Sequence, residues 1–452
     1  MKSTLIKHAQ AILTGCDGER ARTGATDIRI VGERISEIGT LHPQAGDTVI
    51  NASGCVVYPG FVNTHHHLFQ SVLKGVPGGM HVPLLEWLEQ VPYRYGPHFG
   101  PEAIEIAATI GIVELLLSGC TTIADHHYLY DADMGYDPAP ILFDVASRFG
   151  VRFVLQRGSA TVSRAATSGP AMTQPLDQIL REVQRDTAAF HDPSTHAMRK
   201  VVMAPTTPFY SCRPAELREM ARAARSLGIR LHTHLSETAN YVRYAREVLQ
   251  SRPVDWCAEQ EWIGPDVSFA HMVHLDPEEI ALCGQTQTAI AHCPQSNGRL
   301  GSGIAPVQAL AKAGASISIG VDGAASNEAA DMISELHAAW LIHRAQKGAD
   351  AQSVETLVHW ASAGGAKVLG LDAVGTLAPG MQADLSIYDL THPRYAGNHD
   401  PATAPVTAGG AAEVRHAWVA GREVVRDGAI PGLDLAELSA RASALVKKIQ
   451  QF

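Results

Sequence analysis

The sequence predicts an α/β protein, a (β/α)8 TIM barrel that carries a small β-sandwich domain formed by both termini. In the middle of the chain, amphipathic helices that end at a glycine are followed at once by β-rich runs, a pattern typical of βα units and a parallel sheet. Eight such runs lie within about 300 residues, the size of a (β/α)8 barrel. Both ends of the chain show short alternating strands instead. A doubly wound open sheet is the alternative fold.

The first segment, residues 1–58, is predicted to consist of short strands separated by turns. Its alternating runs are AQAILTG, DIRIVGERISEIG and TVINASGCVVY, and the breaks at Gly and Asp favour antiparallel pairing. The apolar stretch at the start is interrupted by Lys7 and His8, so we interpret it as a strand and not as a signal peptide.

The second segment, residues 59–370, holds the predicted barrel. Helices are expected to end at Gly119, Gly150, Gly228 and Gly314, each followed directly by a strand. The eight predicted strands are Gly60–His67, Cys120–His126, Val151–Arg157, Lys200–Thr206, Ile229–His234, Val267–His271, Thr288–His292 and Ser316–Asp322.

The third segment, residues 371–452, has the same sequence pattern as the first. The runs GTLAPGMQADLSIYDL and EVRHAWVAGREVVRDG alternate like strands, and residues 434–451 form an amphipathic helix. Since both flanking segments are rich in short strands, we expect them to pair into one small domain.

Composition excludes several classes of protein. The chain has 452 residues, with 36 Lys and Arg against 46 Asp and Glu, and this net charge of −10 argues against nucleic acid as a partner. There is no apolar run long enough for a transmembrane helix. The seven scattered cysteines suit reduced thiols in a cytoplasm.

Histidine is the residue type whose placement carries information. The chain has 22 His, and several stand where predicted strands end. Because the carboxyl ends of parallel barrel strands meet at one mouth, where active sites lie, we expect these side chains to converge. They are His65 and His67, His234, His271 and His292, and they are joined by Asp322.

The spacing of these residues predicts a metal site. Residues i and i+2 of a strand face the same side, so His65 and His67 point together while His66 turns away. With His234 and Asp322 they form a set of three imidazoles and one carboxylate suited to a divalent ion that keeps an open position for water. A single hydrogen-bonded structural histidine is the alternative for each His alone.

These motifs resemble the amidohydrolase superfamily, in the branch that contains guanine, cytosine, S-adenosylhomocysteine and triazine deaminases or hydrolases. The similarity covers nearly the whole chain and includes PGFVNTHHH (59–67), HLSE (234–237), His271, HCPQSN (292–297), VDG (321–323) and GTLAPGMQADL (375–385). The resemblance implies that the terminal β segments form the composite sandwich of that family.

The resemblance also bears on metal count. Family members with two metals carry a bridging lysine at the end of strand four, but here that strand ends Met203-Ala204-Pro205-Thr206 and its lysine, Lys200, stands at the start. We therefore expect a single divalent ion. Zinc is the default for such ligands, and iron(II) is the alternative.

The roles of the residues follow from the resemblance to single-metal deaminases. Asp322 is expected to accept a proton from the attacking water, His271 to orient that water, and Glu237 to protonate the ring nitrogen next to the attacked carbon. The resemblance further implies a homo-oligomer, a dimer or higher.

The substrate is predicted to be a small planar N-heterocycle. Gln70 and Arg157 are candidates for hydrogen bonds to its edges, Trp87 and Tyr210 for packing over its ring, and the loop 75–100 for a lid. His292 and Asn297 are expected in or next to the pocket.

Three stretches are similar to the pterin deaminases that act on isoxanthopterin: HLFQS (67–71), MAPTT (203–207), and residues 292–301 together with DGAASNEAADM (322–332). The 8-oxoguanine deaminases share the Gln after the His pair and a run like SNGRLGSG (296–303). Hydrolytic removal of the 2-amino group from a 2-amino-4-oxo fused ring is therefore the expected reaction, with isoxanthopterin ahead of 8-oxoguanine or guanine. A triazine or another amidine is the more distant alternative.

Overall fold

A computed structural model describes residues 3–163 and 172–452 of the chain. Its centre is a sheet of eight parallel strands that follow one another in chain order around a barrel. The strands that precede it are β1 Ser3–Lys7, β2 Ala11–Leu13, β3 Arg22–Thr23, β4 Asp27–Val31, β5 Arg34–Gly39, β6 Asp47–Asn51 and β7 Cys55–Pro59. The barrel strands are β8 Phe61–Asn63, β9 Cys120–His127, β10 Arg152–Ser159, β11 Arg199–Pro205, β12 Arg230–Leu235, β13 Val267–His271, β14 Ala289–His292 and β15 Ser316–Ile319. The predicted fold class is confirmed.

Helices alternate with these strands, and two short helices between β8 and β9 contribute side chains to the mouth of the barrel. The two at the mouth are α1 Leu84–Gln90 and α2 Pro92–Tyr95. The others in the barrel segment are α3 Pro101–Leu117, α4 Pro138–Phe149, α5 Leu176–Phe190, α6 Pro214–Ser226, α7 Ala239–Val248, α8 Pro253–Glu259, α9 Pro277–Thr286, α10 Pro294–Arg299, α11 Val307–Ala313, α12 Met332–Lys347, α13 Val354–His359 and α14 Gly365–Leu369.

The first and last strands of the barrel are shorter than predicted. β8 ends at Asn63 and β15 at Ile319, yet the chain beyond each strand keeps bonding across the seam. The Thr64 amide donates to the Ile319 carbonyl at 3.0 Å, and the Asp322 amide donates to the His65 carbonyl at 3.0 Å. The barrel is therefore closed at the point where two of the candidate ligand segments meet.

The two ends of the chain build two further sheets. The last strands are β16 Leu385–Asp389, β17 Val414–Val419 and β18 Arg422–Arg426, and the helices of this segment are α15 Ala404–Ala408 and α16 Leu435–Ile449. One sheet has the order β5-β4-β1-β6, and the other has the order β18-β17-β16-β7-β2-β3. Because β16 pairs antiparallel with β7, the N-terminal and C-terminal segments share one sheet, as expected from their sequence patterns.

A separate apolar core lies between these two sheets and includes Ile6, Ile28, Val57 and Trp418. The six-stranded sheet gives way to the barrel between Pro59 and Phe61, and the chain returns to it at Leu385, after α14 has ended at Leu369. On this basis we propose the division of the chain into residues 1–58, 59–370 and 371–452. In the part of the chain that the structure describes, no helix has the length and apolar character needed to cross a membrane.

A buried ion pair ties the barrel to the C-terminal segment. The Arg152 guanidinium, at the start of β10, donates to both carboxylate oxygens of Asp384 at 2.7 and 3.0 Å. Both side chains are almost fully buried, and Asp384 also accepts from the Ala420 amide at 2.8 Å. This bidentate pair links two segments more than 200 residues apart in the chain.

Replacing Asp384 by Ala is expected to lower the free energy of unfolding by about 3–5 kcal/mol, because it leaves the buried Arg152 charge uncompensated. Urea denaturation followed by circular dichroism measures the change. The matched control is Glu261→Gln, which breaks an exposed pair with Arg222 and should shift the midpoint little. Equal midpoints for the two variants would contradict the assigned role of the buried pair.

Candidate active site

The histidine and aspartate side chains singled out in the sequence lie together at the carboxyl end of the barrel. His65 and His67 follow β8, His234 lies on β12, His271 ends β13 and Asp322 follows β15. The predicted convergence of the strand ends therefore brings five side chains from four strands into one cluster. His66 turns away, with its Nδ1 at 2.5 Å from the Asp322 carbonyl.

Four of these side chains point their terminal atoms at one another. The Nε2 atoms of His67 and His234 are 3.2 Å apart, and Asp322 Oδ1 lies 3.2 Å from His67 Nε2 and 3.4 Å from His65 Nε2. Two ligands about 2.05 Å from one tetrahedral ion lie roughly 3.3 Å apart. The spacing of the donor atoms is thus that of ligands around a common divalent ion.

The protonation and hydrogen bonding of these side chains are also compatible with a bound cation. His65 Nε2 is buried and has no hydrogen-bond partner among the described residues. Burial holds the pKa values of His65 and His234 well below their usual range, so these imidazoles are neutral. Burial raises the pKa of Asp322, but the imidazoles of His65 and His67 outweigh this effect and keep it well below its usual value. Burial lowers the pKa of His67, yet Asp322 outweighs it and raises that pKa.

Neighbouring groups hold two of the imidazoles with Nε2 facing the cluster. The Nδ1 atom of His67 bonds to the His126 carbonyl at 2.7 Å, and that of His234 bonds to the Thr206 carbonyl at 2.6 Å. A carbonyl only accepts, so each ring carries a proton on Nδ1, and in its neutral form it presents a bare Nε2 to the cluster.

The carboxylate of Asp322 is held as firmly. Ser296 donates to Oδ2 of Asp322 at 2.5 Å, and Ser326 donates to the same oxygen at 3.3 Å. This leaves Oδ1 to face the imidazoles, and it fixes Oδ2 on the side of His271, whose Nε2 lies 4.0 Å away.

The backbone at two site residues lies in the left-handed region. Asp322 has a φ of +61° and His271 a φ of +74°, values that cost a residue with a side chain about 1–3 kcal/mol. Such strain persists only where the surroundings impose it, and it is concentrated at functional sites. Both residues stand where a strand has just ended and the chain must turn sharply.

Beside the four-atom cluster lies a second pair of titratable groups. Glu237 comes three residues after His234, and its Oε2 is 3.8 Å from His271 Nε2. The other ring nitrogen of His271 bonds to the Asn297 side-chain oxygen at 2.9 Å, which orients the imidazole. A carboxyl group and an imidazole next to a metal site are the groups that hydrolytic acid–base chemistry requires.

These groups line a pocket that encloses about 630 Å³ of space, open mouth included. Its lining combines apolar and aromatic side chains with polar and titratable ones. Its lining residues are His67, Gln70, Leu84, Trp87, Leu88, Tyr93, Tyr128, Thr206, Thr207, His234, Glu237, Thr238, Tyr241, His271, Leu300 and Asp322.

Gln70 and Trp87 therefore lie where the sequence placed them, on the pocket wall. The amide nitrogen of Gln70 donates to the Tyr128 hydroxyl at 3.0 Å, and the Trp87 indole donates to the Ala325 carbonyl at 3.2 Å. A side chain at Gly323 would meet Gln70, since a Cβ built there lies 1.8 Å from the Gln70 amide oxygen. The glycine after Asp322 thus makes room for the amide.

The structure corrects the placement of Arg157, which does not line the pocket. Its neighbour Gln156 points into the barrel and donates to the Thr64 carbonyl, so by alternation Arg157 points outward. There its guanidinium bonds to Gln174 and Glu182 and lies over the ring of Tyr130. The terminal nitrogens of the guanidinium are thus held by groups outside the pocket and are not offered to a ligand in it.

The other three predicted pocket residues stand behind the lining. His292 pairs its Nε2 with that of His343 at 3.0 Å, and Tyr210 packs its ring 5.3 Å from that of Tyr241. Asn297 reaches the site only through His271.

Several lining residues were not foreseen from the sequence. Tyr128 follows the end of β9 directly, so the rule that strand ends meet at the mouth was sufficient to find it. Tyr93, Leu84 and Leu88 come from α1 and α2, within the segment expected to form a lid, and Leu300 comes from the loop after α10.

Comparison with known proteins agrees with this geometry. Residues 56–424 match the model of the amidohydrolase family. The chain is 49% identical to isoxanthopterin deaminase from an unknown prokaryotic organism, over 99% of this chain and 97% of that protein. It is 38% identical to 8-oxoguanine deaminase from Pseudomonas aeruginosa, over 99% of this chain and all of the relative.

Among solved structures, a variant of atrazine chlorohydrolase from Arthrobacter aurescens TC1, complexed with zinc and atraton, superposes with a TM-score of 0.92 at 26% identity. The similarity covers 98% of this chain and 100% of that one.

Replacing His67 by Asn is expected to reduce the metal content of the purified protein from about one ion per chain to a small fraction, because one of four ligands is lost. Elemental analysis after dialysis against metal-free buffer measures it. The control is His274→Asn, since His274 follows the same strand as His271 but bonds to the Ser302 carbonyl outside the cluster. A His67→Asn protein that keeps its full metal content would exclude the cluster as the metal site.

Proposed function

We propose that this chain, which belongs to the amidohydrolase family, removes the 2-amino group of isoxanthopterin by hydrolysis and releases ammonia. The chain is a hydrolase that acts on carbon–nitrogen bonds. The observation that carries the proposal is the pair of Glu237 and His271, 3.8 Å apart beside the metal-ligand cluster, in a chain 49% identical to an isoxanthopterin deaminase.

The reaction replaces a C–NH2 bond by a C=O bond. Water adds to the amidine carbon, the ring nitrogen takes up a proton, and the adduct loses ammonia to leave a ring carbonyl. A deaminase therefore needs a group that binds and deprotonates water and a separate acid that protonates the ring nitrogen. The two carboxyl groups of the site, Asp322 and Glu237, are the candidates for these two tasks.

His65, His67, His234 and Asp322 would hold the metal ion, which when bound polarises water and lowers its pKa. Asp322 Oδ2 accepts the proton of the attacking water, and His271 Nε2, 4.0 Å from that oxygen, orients the water. Glu237, whose Oε2 lies 3.8 Å from the same nitrogen of His271, protonates the ring nitrogen of the substrate and thereby makes the adjacent carbon electrophilic. The leaving amine then collects its proton from these carboxyl groups.

The pocket suits a flat bicyclic ring. Trp87, Leu88 and Leu300 offer apolar surface, and Tyr128 offers an aromatic face whose ring lies 4.9 Å from that of His67. The amide of Gln70 lines the pocket, where it can hydrogen-bond the lactam or amidine edge of a 2-amino-4-oxo ring.

We propose a single zinc ion as the cofactor, with iron(II) as the alternative. β11 ends at Pro205 and is followed by Thr206, while Lys200 lies at the opposite end of the strand, where its ammonium group donates to the Asp192 carbonyl. Because β11 has no lysine at its carboxyl end that could bridge two ions, this arrangement supports a single ion. We also propose a homo-oligomer, a dimer or higher, and, because all seven cysteines are unpaired, a location in a reducing cytoplasm.

Two other classes of substrate, oxidised or unmodified purines and triazines, are the alternatives, and each is favoured by one observation. 8-Oxoguanine, and with it guanine, is favoured by the 38% identity to the Pseudomonas aeruginosa deaminase. A triazine is favoured by the structural similarity to the atrazine chlorohydrolase.

An ammonia-release assay with zinc-loaded enzyme tests the substrate. We expect the highest kcat/KM for isoxanthopterin, at least tenfold lower values for 8-oxoguanine and guanine, and neither ammonia, alkylamine nor chloride from triazines. The expected order reflects the identity of the relatives and a pocket built for a fused ring. Release of ammonia from 8-oxoguanine but not from isoxanthopterin would replace the proposed substrate by its first alternative.

The exchange Glu237→Gln is expected to lower kcat for ammonia release by about 10²–10⁴-fold, because the amide cannot deliver a proton to the ring nitrogen. Metal content should stay unchanged, since Glu237 is not among the four ligands. Steady-state kinetics with elemental analysis measures both quantities, with Glu261→Gln as the exposed control. A variant within threefold of the original kcat would exclude the proton-transfer role.

A further inference from the structure

One of the three ligand imidazoles is held differently from the others. His67 and His234 each bond through Nδ1 to a backbone carbonyl, whereas His65 Nδ1 lies 2.9 Å from Nε2 of another imidazole, that of His232. The rings of His65 and His232 are both completely buried. The His232 side chain thus contacts Nδ1 of His65 in the position where a backbone carbonyl contacts Nδ1 of the other two imidazoles.

His232 is placed for this contact by its strand. It lies on β12 two residues before His234, so the two side chains share the interior face of the barrel, with His232 one layer deeper. His65 comes from the chain after β8 and approaches from another side of the barrel. One strand therefore supplies a candidate ligand and, from the layer below, the support for a ligand of a different strand.

The contact continues into a chain of hydrogen bonds. His232 Nδ1 is 2.8 Å from the Ser268 hydroxyl on β13, and that hydroxyl donates to the Leu231 carbonyl at 3.5 Å. The carbonyl at the end can only accept. It sets the direction of each bond before it: Ser268 donates to Leu231, His232 Nδ1–H donates to Ser268, and His65 Nδ1–H donates to His232 Nε2.

The direction of this chain decides which nitrogen of His65 is bare. With its proton on Nδ1, His65 presents a lone pair at Nε2, the atom that lies 3.4 Å from Asp322 Oδ1 and has no hydrogen-bond partner among the described residues. With its proton on Nε2, the same ring would direct an N–H at the cluster and could not ligate an ion there.

We propose that His232 is a positioning residue, which fixes the tautomer and the ring orientation of His65 through the chain His65–His232–Ser268–Leu231 and thereby raises the affinity of the site for its metal ion. The inference rests on the metal centre of the proposed function but not on its substrate. A ligand's hydrogen-bonded partner typically contributes about 10–100-fold to metal affinity.

Two substitutions of His232 separate this role from simple packing. In a glutamine, the carboxamide oxygen reaches as far as Nε2 of histidine and can accept from His65, while an asparagine reaches only as far as Nδ1. We therefore expect His232→Asn to weaken zinc binding by about 10–100-fold and His232→Gln to restore most of the loss. Ser268→Ala, which removes the group that holds the His232 proton on Nδ1, should weaken binding less than His232→Asn.

The affinity is measured by competition between the apoenzyme and a chromophoric zinc chelator, with no substrate present. The absorption spectrum of the cobalt(II)-substituted protein provides a second readout, because a reoriented His65 changes the coordination geometry. Circular dichroism and thermal unfolding of each apoprotein identify a variant that has not folded, and in that event Ser268→Ala and His232→Gln carry the comparison.

Zinc affinities of His232→Asn and Ser268→Ala within threefold of the original, with unchanged cobalt spectra, would overturn the inference and leave the proposed function intact. Equal losses in His232→Asn and His232→Gln, in folded proteins, would also overturn it, since the acceptor atom would then be irrelevant. An original protein that binds no zinc would remove both the metal centre and the role of His232, whereas failure on isoxanthopterin alone would remove only the substrate.

Discussion

The hydrogen bonds that close the barrel between β8 and β15 are the constraint on which the site depends. Thr64 and Ile319 are 255 residues apart in the chain, yet backbone and side-chain bonds join them, and the Asp322 amide donates to the His65 carbonyl just above. These bonds set the histidine pair after the first strand beside the aspartate after the last. An open sheet with the same strands would leave these two segments at opposite edges, and the four donor atoms would never meet.

Beneath the candidate ligands, the barrel centre contains polar side chains, and some of them are hydrogen-bonded to the backbone. Gln156 donates to the Thr64 carbonyl at 2.9 Å, and His126 Nε2 bonds to the Ala204 carbonyl at 2.8 Å. Burying such groups is costly unless they are paired, so each pairing also restricts the chain that carries it. These hydrogen bonds therefore fix the position of Thr64, which precedes His65, and of the end of β11. An apolar core could not fix them in this way.

The parts of this structure that the sequence predicted are those governed by strand periodicity. Eight strands, their order and the meeting of His65, His67, His234, His271 and Asp322 follow from a helix–strand repeat and from the rule that strand ends share one mouth. Arg157 was misplaced because its strand position alone does not say which face it occupies. The contact between Gln156 and the Thr64 carbonyl, 92 residues apart in the chain, shows which face Arg157 occupies. Tyr93 and Leu300 could not be predicted, because the short helices and loops at the mouth have no sequence periodicity that indicates where a side chain points.

The two ends of the barrel have opposite energetic roles. At the carboxyl end, His271 and Asp322 adopt left-handed backbone conformations, and the buried Nε2 of His65 has no hydrogen-bond partner among the described residues. At the amino end, Arg152 is clamped by Asp384 from the C-terminal segment, in a pair that lies far from the chemistry. Strain at a functional site is offset by stability elsewhere in the fold. The buried Arg152–Asp384 pair is one source of that stability, and it joins the C-terminal segment to the end of the barrel that lies away from the pocket.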